Sequence, residues 1–424
     1  MLNRYIGNKS VILDDILAVV AERAEPGALV CDVFSGSLAV SLALKRAGYR
    51  VASNDINLFS AMYGHAFLEA NSIPPVDFDA LLPNDGHVAL LVRAERELEK
   101  YRDRPGYTYL TSPVFEADAH RLMAMLLHLQ DGPDPGGVPA EFARSDIFDH
   151  YCESGRKSAF RSLRGRTGRR RFFSPGNARH IDRILNRLRY WHQTGALAPT
   201  TEAVLLTILL DAVERVANTQ GTYHDFPREQ YDPRALKPLQ LRLPPFDGLI
   251  GGDLEHVVGA ELDSLAFIEH VPPHDVLYVD PPYNFRQYTA YYFLPNVLCR
   301  YPSLADPEEY FAAVEYVRGQ NMSDDFVSTF CKANSFLESL RTLIDRARAK
   351  SVVLSYFDGR NHWNDFKAEP NGEGLRRLSE FFADSTLFRP GSLEVRPVTR
   401  LNYQSYGGYR AREVLEYLFV AEKR

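Results

Sequence analysis

The sequence predicts an α/β fold: a mostly parallel sheet with helices on both faces, interrupted by a mainly helical insert. Three observations carry this. A β-turn-α-β unit occupies residues 28–56, the strand–helix rhythm lapses between residues 74 and 245, and it returns with "DVLYVDPPY" at 275–283.

The elements follow in order. "KSVILDDILAVVAERAEPG" (9–27) reads as a helix with an apolar stripe of Ile12, Ile16, Val19 and Val20, stopped by Pro26-Gly27. "ALVCDVF" is a buried strand, and "SGSLAVSLALKRAG" is a tight turn into a helix that ends at Gly48. "YRVASNDI" is the next strand, and residues 58–71 are helical. The insert contains helical stretches at 88–102, 117–129, 176–193 and 201–219, with a turn-rich loop, "DGPDPGGVP", among them. After the insert, Val276, Leu277, Tyr278 and Val279 form an uninterrupted apolar strand. A helix near 326–349, the strand "SVVLSYF", a helix near 371–384 and the strands "SLEVRPVT" and "VLEYLFVAE" complete the chain. The expected division is 1–73 for a first half-domain, 74–245 for the insert and 246–424 for a second half-domain.

A chain of 424 residues with 45% apolar and 25% charged residues is ordinary for a soluble globular protein. No signal peptide is visible. The apolar run at 203–217 is broken by Asp211, Glu214 and Arg215, as expected of a buried helix and not a membrane span. Cys31, Cys152, Cys299 and Cys331 are scattered without metal-ligand spacing, which fits a reducing cytoplasm and no metal. Net charge is −6, but Arg156–Arg189 holds twelve Lys/Arg against one acid, Asp182. That segment is +11 and the remainder about −17, the distribution of an acidic body that grips a polyanion at one place.

In an open α/β sheet, ligands sit beyond the carboxyl ends of the strands. Three such ends carry polar residues here: "DVFSGS", "NDI" and "DPPY". Gly36 permits close backbone approach, and Asp55, 23 residues after Asp32, is spaced to receive ribose hydroxyls. The third end is the most specific. The amine of a nucleobase is a poor nucleophile, because its lone pair is delocalised into the ring. A carboxylate (Asp280) and a carbonyl fixed by Pro281-Pro282 together accept both amine hydrogens and turn the lone pair outward, while Tyr283 offers a face for the base. Such a base must first leave its duplex.

The series "RYIGNKS", "DVFSGS", "NDI", "GGDL", "DPPYNFRQY" resembles the alpha group of DNA adenine methyltransferases, the Dam-like family, from about Arg4 to Glu422. "RRFFSPGNARHID", "VANTQGTY" and "YQSYGGYRAREVLEYLFV" look familial as well. The resemblance implies a seven-stranded class I methyltransferase fold that binds S-adenosylmethionine, with a target-recognition insert. It implies that Tyr5 and Lys9 line the methionine side of the cofactor and that Phe34 and Gly36 lie under it. Asp55 and Ile56 would hold the ribose and flank the adenine, Asp253 and Leu254 would receive the adenine's amino group and ring, and Asp280–Tyr283 would catalyse. The family form FxGxG departs here at Leu38, which is expected to point into the helix–sheet interface.

Duplex DNA is the expected partner, with a separate restriction endonuclease or defence partner as a further one. Arg169, Arg170 and Arg171, followed by Phe172 and Phe173, suit phosphate contact, with one or two reading guanine edges. Asn218, Gly221 and Tyr223 follow a helix where a loop can approach the target base, and Arg286 and Gln287 are placed to grip the phosphate of an extruded nucleotide. The leading expectation is methyl transfer to the 6-amino group of adenine. The alternatives are the 4-amino group of cytosine, adenine in RNA, and a catalytically silent DNA-binding module.

Overall fold

The computed structural model describes residues 5–82, 87–132, 137–315, 317–359, 361–364, 371–401 and 413–424. The chain forms two compact units. One comprises His65–Gly252 and Tyr292–Asp325; the other takes the segment ending at Gly64, Asp253–Tyr291 and Phe326–Arg424.

The second unit is built on a sheet of seven strands among the described residues: β1 (Leu29–Asp32), β2 (Arg50–Ser53), β3 (Val257–Val258), β4 (His274–Val279), β5 (Ala349–Phe357), β6 (Glu394–Leu401) and β7 (Glu413–Glu422). Their order is β3-β2-β1-β4-β5-β7-β6. All run parallel except β7, which is antiparallel to both neighbours. This mixed α/β architecture is the class I methyltransferase fold that the resemblance implies. The registers Val30↔Val51 and Val30↔Val276 put β1 between β2 and β4. The strand order reverses at β1, so the crevice beyond the carboxyl ends of β1 and β4 is the topological switch point.

The strands exist because they are buried. All four residues of β1 are buried, and so are Val276–Val279 of β4. The core combines Cys31, Val33, Leu277 and Val279 with Val352, Leu354 and Phe419. Phe336, Leu340 and Leu343 from the helix Phe336–Arg346 and Leu378 and Phe382 from Glu373–Phe382 cover them. The helix expected over 326–349 starts only at Phe336. Ahead of it runs a loop with one 3₁₀ turn, Thr329–Cys331, which the Ser328 hydroxyl caps by accepting from the Phe330 amide at 3.2 Å.

The other unit is mainly helical. Its long helices are His87–Leu98, Pro113–Asp131, Pro175–Gln193 and Pro199–Val216. Three of these begin with proline in the first turn, where a missing amide proton costs nothing. Twelve residues of Pro199–Val216 are buried, including Asp-flanked Leu209 and Leu210. Among the described residues no helix is long and apolar enough to cross a membrane. Trp191, almost fully buried, donates its indole proton to the Leu81 carbonyl at 2.9 Å. The insert extends beyond a single segment, because Tyr292–Asp325 packs into this unit as well.

The basic segment is not one helical face. Ala159–Arg161 and Thr167–Arg169 pair as an antiparallel hairpin before the helix Pro175–Gln193 begins. Asp182, the segment's one acid, is buried and accepts from the Ile147 and Phe148 amides at 2.8 and 2.9 Å. It caps the helix Asp146–Tyr151 and does not offset arginine charge.

Candidate active site

The strand ends converge on a cleft of about 720 Å³, counted with its open mouth. Tyr5, Phe34, Asp55 and Ile56 line it, and so do Asp280, Pro281, Pro282, Tyr283 and Gln287. Residues far apart in sequence meet here because β1, β2 and β4 are adjacent and parallel, so their carboxyl ends share one edge.

Asp55 follows β2 and is fixed from three directions. The Gly36 amide donates to Oδ2 at 2.9 Å, and the Asn57 amide and side chain donate to Oδ1 at 2.9 and 2.8 Å. Burial raises its pKa, against the lowering effect of these donors. Phe34 follows β1 and packs edge-on against Phe330 at 5.0 Å. The Tyr5 ring lies between Phe59 and Tyr288, at 6.0 and 5.6 Å. A Cβ on Gly36 would stand 2.6 Å from the Tyr5 ring. This glycine therefore makes room for a tyrosine; it does not itself line the cleft.

Asp280 stands at the end of β4 with its side chain 17% exposed, and its Oδ1 is 2.9 Å from Lys9 Nζ. Burial pushes its pKa up to about 6, although Lys9 pulls it down. Among the described residues no other group pairs with it, so its acceptor capacity is left largely for a ligand. Tyr283 packs against Tyr356 and Phe357 at 5.6 and 6.0 Å while lining the cleft, and burial pushes its pKa up to about 12. It stays a neutral phenol with an aromatic face.

Lys9, which the resemblance assigns to the methionine side of the cofactor, stands against Asp280. It is 4% exposed, does not line the cleft and pairs with Asp280 and with Glu416. Burial disfavours its charge, but the two carboxylates outweigh that and hold its pKa well above the ordinary lysine value. Glu416, on β7, accepts from Lys9 and Ser355 through Oε1 and from Arg400 through Oε2. Burial works against its charge, yet Lys9 and Arg400 bring its pKa down to about 2.

The resemblance assigns Asp253 and Leu254 to the cofactor's adenine. Asp253 is exposed and neither lines the cleft; Leu262 and Asp263, beyond β3, do. Asp263 caps the helix Ser264–His270 through the Leu265 amide. β3 is only two residues long, too short to stand out by composition. Phe326, Ser328 and Cys331 also line the cleft, and nothing in their local sequence announces it. The loop bearing them is tied to the turn that follows β4, where the Ser328 amide donates to Gln287 Oε1 at 3.0 Å and the Cys331 thiol to the Arg286 carbonyl at 3.1 Å. The Arg286 guanidinium lies over the Tyr291 ring at 5.9 Å.

Several expected DNA contacts hold the helical unit together instead. Arg170 is 4% exposed and donates to the carbonyls of Val317, His150 and Lys157. Arg171 pairs with Glu153 at 2.6 Å. Arg169 is exposed, but its guanidinium reaches back to the Glu153 and Gly155 carbonyls at 3.1 and 2.8 Å. Asn218 is fully buried, donating to the Arg171 carbonyl and accepting from the Asp232 amide, both at 2.9 Å. Tyr223 is buried and stacked on Phe172 at 6.4 Å. Arg161, Arg164 and Arg166, on and beside the hairpin tip, are open to solvent, as are Arg156 and Arg179. Arg4 and residues 403–412 of the familial motifs lie outside the described residues.

The cleft lining combines aromatic and aliphatic surface (Phe34, Ile56, Leu262) with three carboxylates, Asp55, Asp263 and Asp280. That set fits a nucleoside-like molecule, with a flat ring to be sandwiched and hydroxyl and amine protons to be accepted. Among known proteins, the chain is 28% identical over 426 residues to the Type II methyltransferase M.FokI of Planomicrobium okeanokoites, covering 99% of this chain and 52% of that one. It is 29% identical over 280 residues to the Type II methyltransferase M.NlaIII of Neisseria lactamica, covering 65% and 71%. The modification methylase StsI of Streptococcus sanguinis is 24% identical, over 99% and 52%. The chain thus spans about half the length of two of these relatives. The family model of the D12 class N6 adenine-specific DNA methyltransferases matches residues 5–303, and the chain belongs to that family.

Proposed function

We propose that this chain transfers a methyl group from S-adenosylmethionine to the 6-amino group of an adenine extruded from duplex DNA, at a specific site. One observation carries the reading. Asp280 opens into the same cleft as Phe34, Asp55, Ile56 and Asp263, so an amine acceptor and a nucleoside-binding lining face one space. When bound, the cofactor supplies an electrophilic methyl group on sulfur. The chain's residues do the rest: Asp55 accepts ribose hydroxyl protons, Asp263 accepts from the cofactor's ring amine, and Phe34, Ile56 and Leu262 flank that ring. Asp280 and the Pro281 carbonyl side of the turn accept the two hydrogens of the target amine, and Tyr283 supports the base. Metal has no role in this reading.

The relatives are named as Type II and modification methylases, and we infer that this chain marks its recognition site against a companion endonuclease. The solvent-facing arginines of the hairpin supply phosphate contact in this reading, in place of Arg170 and Arg171. The test is direct. The protein is incubated with S-adenosylmethionine and unmethylated duplex DNA, and the DNA is digested to nucleosides for mass analysis. N6-methyldeoxyadenosine is expected. N4-methyldeoxycytidine, or product from RNA alone, would refute the assignment. Asp280→Ala should lose at least about 10²-fold in turnover while retaining cofactor binding. Binding without transfer by the unaltered chain would mark a silent DNA-binding module.

A further inference from the structure

We infer that Glu416 is a positioning residue for methyl transfer: it holds the Lys9 ammonium between two carboxylates and thereby sets the charge on Asp280. The inference rests on the role proposed for Asp280 and extends it to the antiparallel edge of the sheet.

The topology brings the groups together. β7 runs against β5, with Glu416 opposite Phe357 at the carboxyl end of β5. β6 pairs with β7 so that Val398 faces Glu416 and Arg400 lies two residues on, at the same edge. That edge is where β4 delivers Asp280. Further along β7, Leu418, Phe419 and Val420 are all fully buried and apolar. A fully buried glutamate in such a strand is not needed for folding, since an apolar residue of like volume serves a core equally well or better.

Its contacts account for it. Oε1 accepts from Lys9 and from the Ser355 hydroxyl at 2.7 Å, and Oε2 accepts from Arg400. Glu416 is thereby fixed from two strands, β5 and β6, and the N-terminal segment, and the lysine is clamped between it and Asp280. Without Glu416 the whole ammonium charge would fall on Asp280, weakening that carboxylate as an acceptor for amine hydrogens. Sharing the lysine leaves Asp280 ionised but electron-rich. The charged and titratable groups facing Asp280 are Lys9, Glu416, Arg400, Asp32 of β1, Tyr278 of β4, and Tyr283 and Tyr288 of the turn.

The test is the pH profile of kcat/KM for duplex DNA, measured on the full chain with S-adenosylmethionine. Transfer requires ionised Asp280, so the rate falls as pH drops through its pKa. Glu416→Gln removes a negative charge and returns Lys9 to Asp280, so the acid limb should move to lower pH by about one unit. Arg400→Gln removes a positive charge and draws Lys9 toward Glu416, so the limb should move to higher pH. A folded Glu416→Gln enzyme whose limb stays in place or rises, whatever its loss of rate, overturns the inference. If that variant does not fold, the partly exposed Arg400 position decides, and an unmoved limb in Arg400→Gln overturns it. A wild-type chain that methylates nothing would instead sink the proposed function, before either variant is compared.

Discussion

Leu38 adopts φ 60° and ψ 16°, a left-handed conformation that costs a leucine about 1 kcal/mol relative to glycine. Its side chain is fully buried and does not line the cleft. The departure from FxGxG therefore exchanges backbone ease for core packing, at the turn where the helix Ala39–Arg46 starts. Restoring the family residue should not help this chain. Leu38→Gly relieves about 1 kcal/mol of strain but removes a buried leucine, a loss of about 3 kcal/mol, so a net destabilisation of about 2 kcal/mol is expected. Urea unfolding measures that loss, while calorimetric affinity for S-adenosylmethionine should change little. A gain in affinity of tenfold or more would show that the side chain crowds the cofactor after all. Reading residues 35–38 as a turn that continues an apolar helical face was enough to orient Leu38. Glu416 was not legible in the same way, because an acid inside "VLEYLFVAE" looks like a solvent-facing strand position until the opposing Lys9 and Arg400 are seen.

At the scale of elements, the hairpin shows how a charge run misleads. Composition marks Arg156–Arg189 as basic but cannot separate arginines that donate to buried carbonyls from those facing water. Backbone pairing of Ala159–Arg161 with Thr167–Arg169 does separate them. It projects Arg161, Arg164 and Arg166 outward, with Leu163 98% exposed at the tip, while Arg170 turns inward. Arg164→Glu with Arg166→Glu should lower DNA affinity and reduce the salt slope by about two, one per lost phosphate contact. Arg170→Ala should instead destabilise the helical unit by about 2–3 kcal/mol, since three carbonyls lose a charged donor. Salt titrations and thermal melts distinguish the two, and equal salt slopes for the hairpin variant and wild type would place DNA elsewhere. Long periodic helices and β4 were readable because their apolar spacing is strong. β3 was not, because two valines carry no period, and with β3 went Asp263.

For the whole molecule, the two compact units divide the expected chemistry between them. Among the described residues, those lining the cleft all belong to the sheet unit, and the solvent-facing arginines of the hairpin belong to the helical unit. Sequence rhythm places its first boundary at 73/74, and the compact units divide at Gly64/His65. It could not show that Tyr292–Asp325 joins the helical unit, since the helices Phe293–Arg300 and Pro307–Ala312 look like any that follow a parallel strand. This division makes separate predictions for two ligands. S-adenosylmethionine at 100 times its Kd should stabilise the protein by about 2.7 kcal/mol, because it binds only the folded state. The accompanying slowing of amide exchange should concentrate at Gly36, Asn57 and Ser328, whose amides are tied to cleft residues, and leave residues 159–169 unchanged. Duplex DNA without cofactor should do the reverse, slowing exchange across the hairpin first. Hydrogen-exchange mass spectrometry reads both patterns in one protein, and cofactor-induced protection centred on the hairpin would contradict a cofactor site contained within the sheet unit.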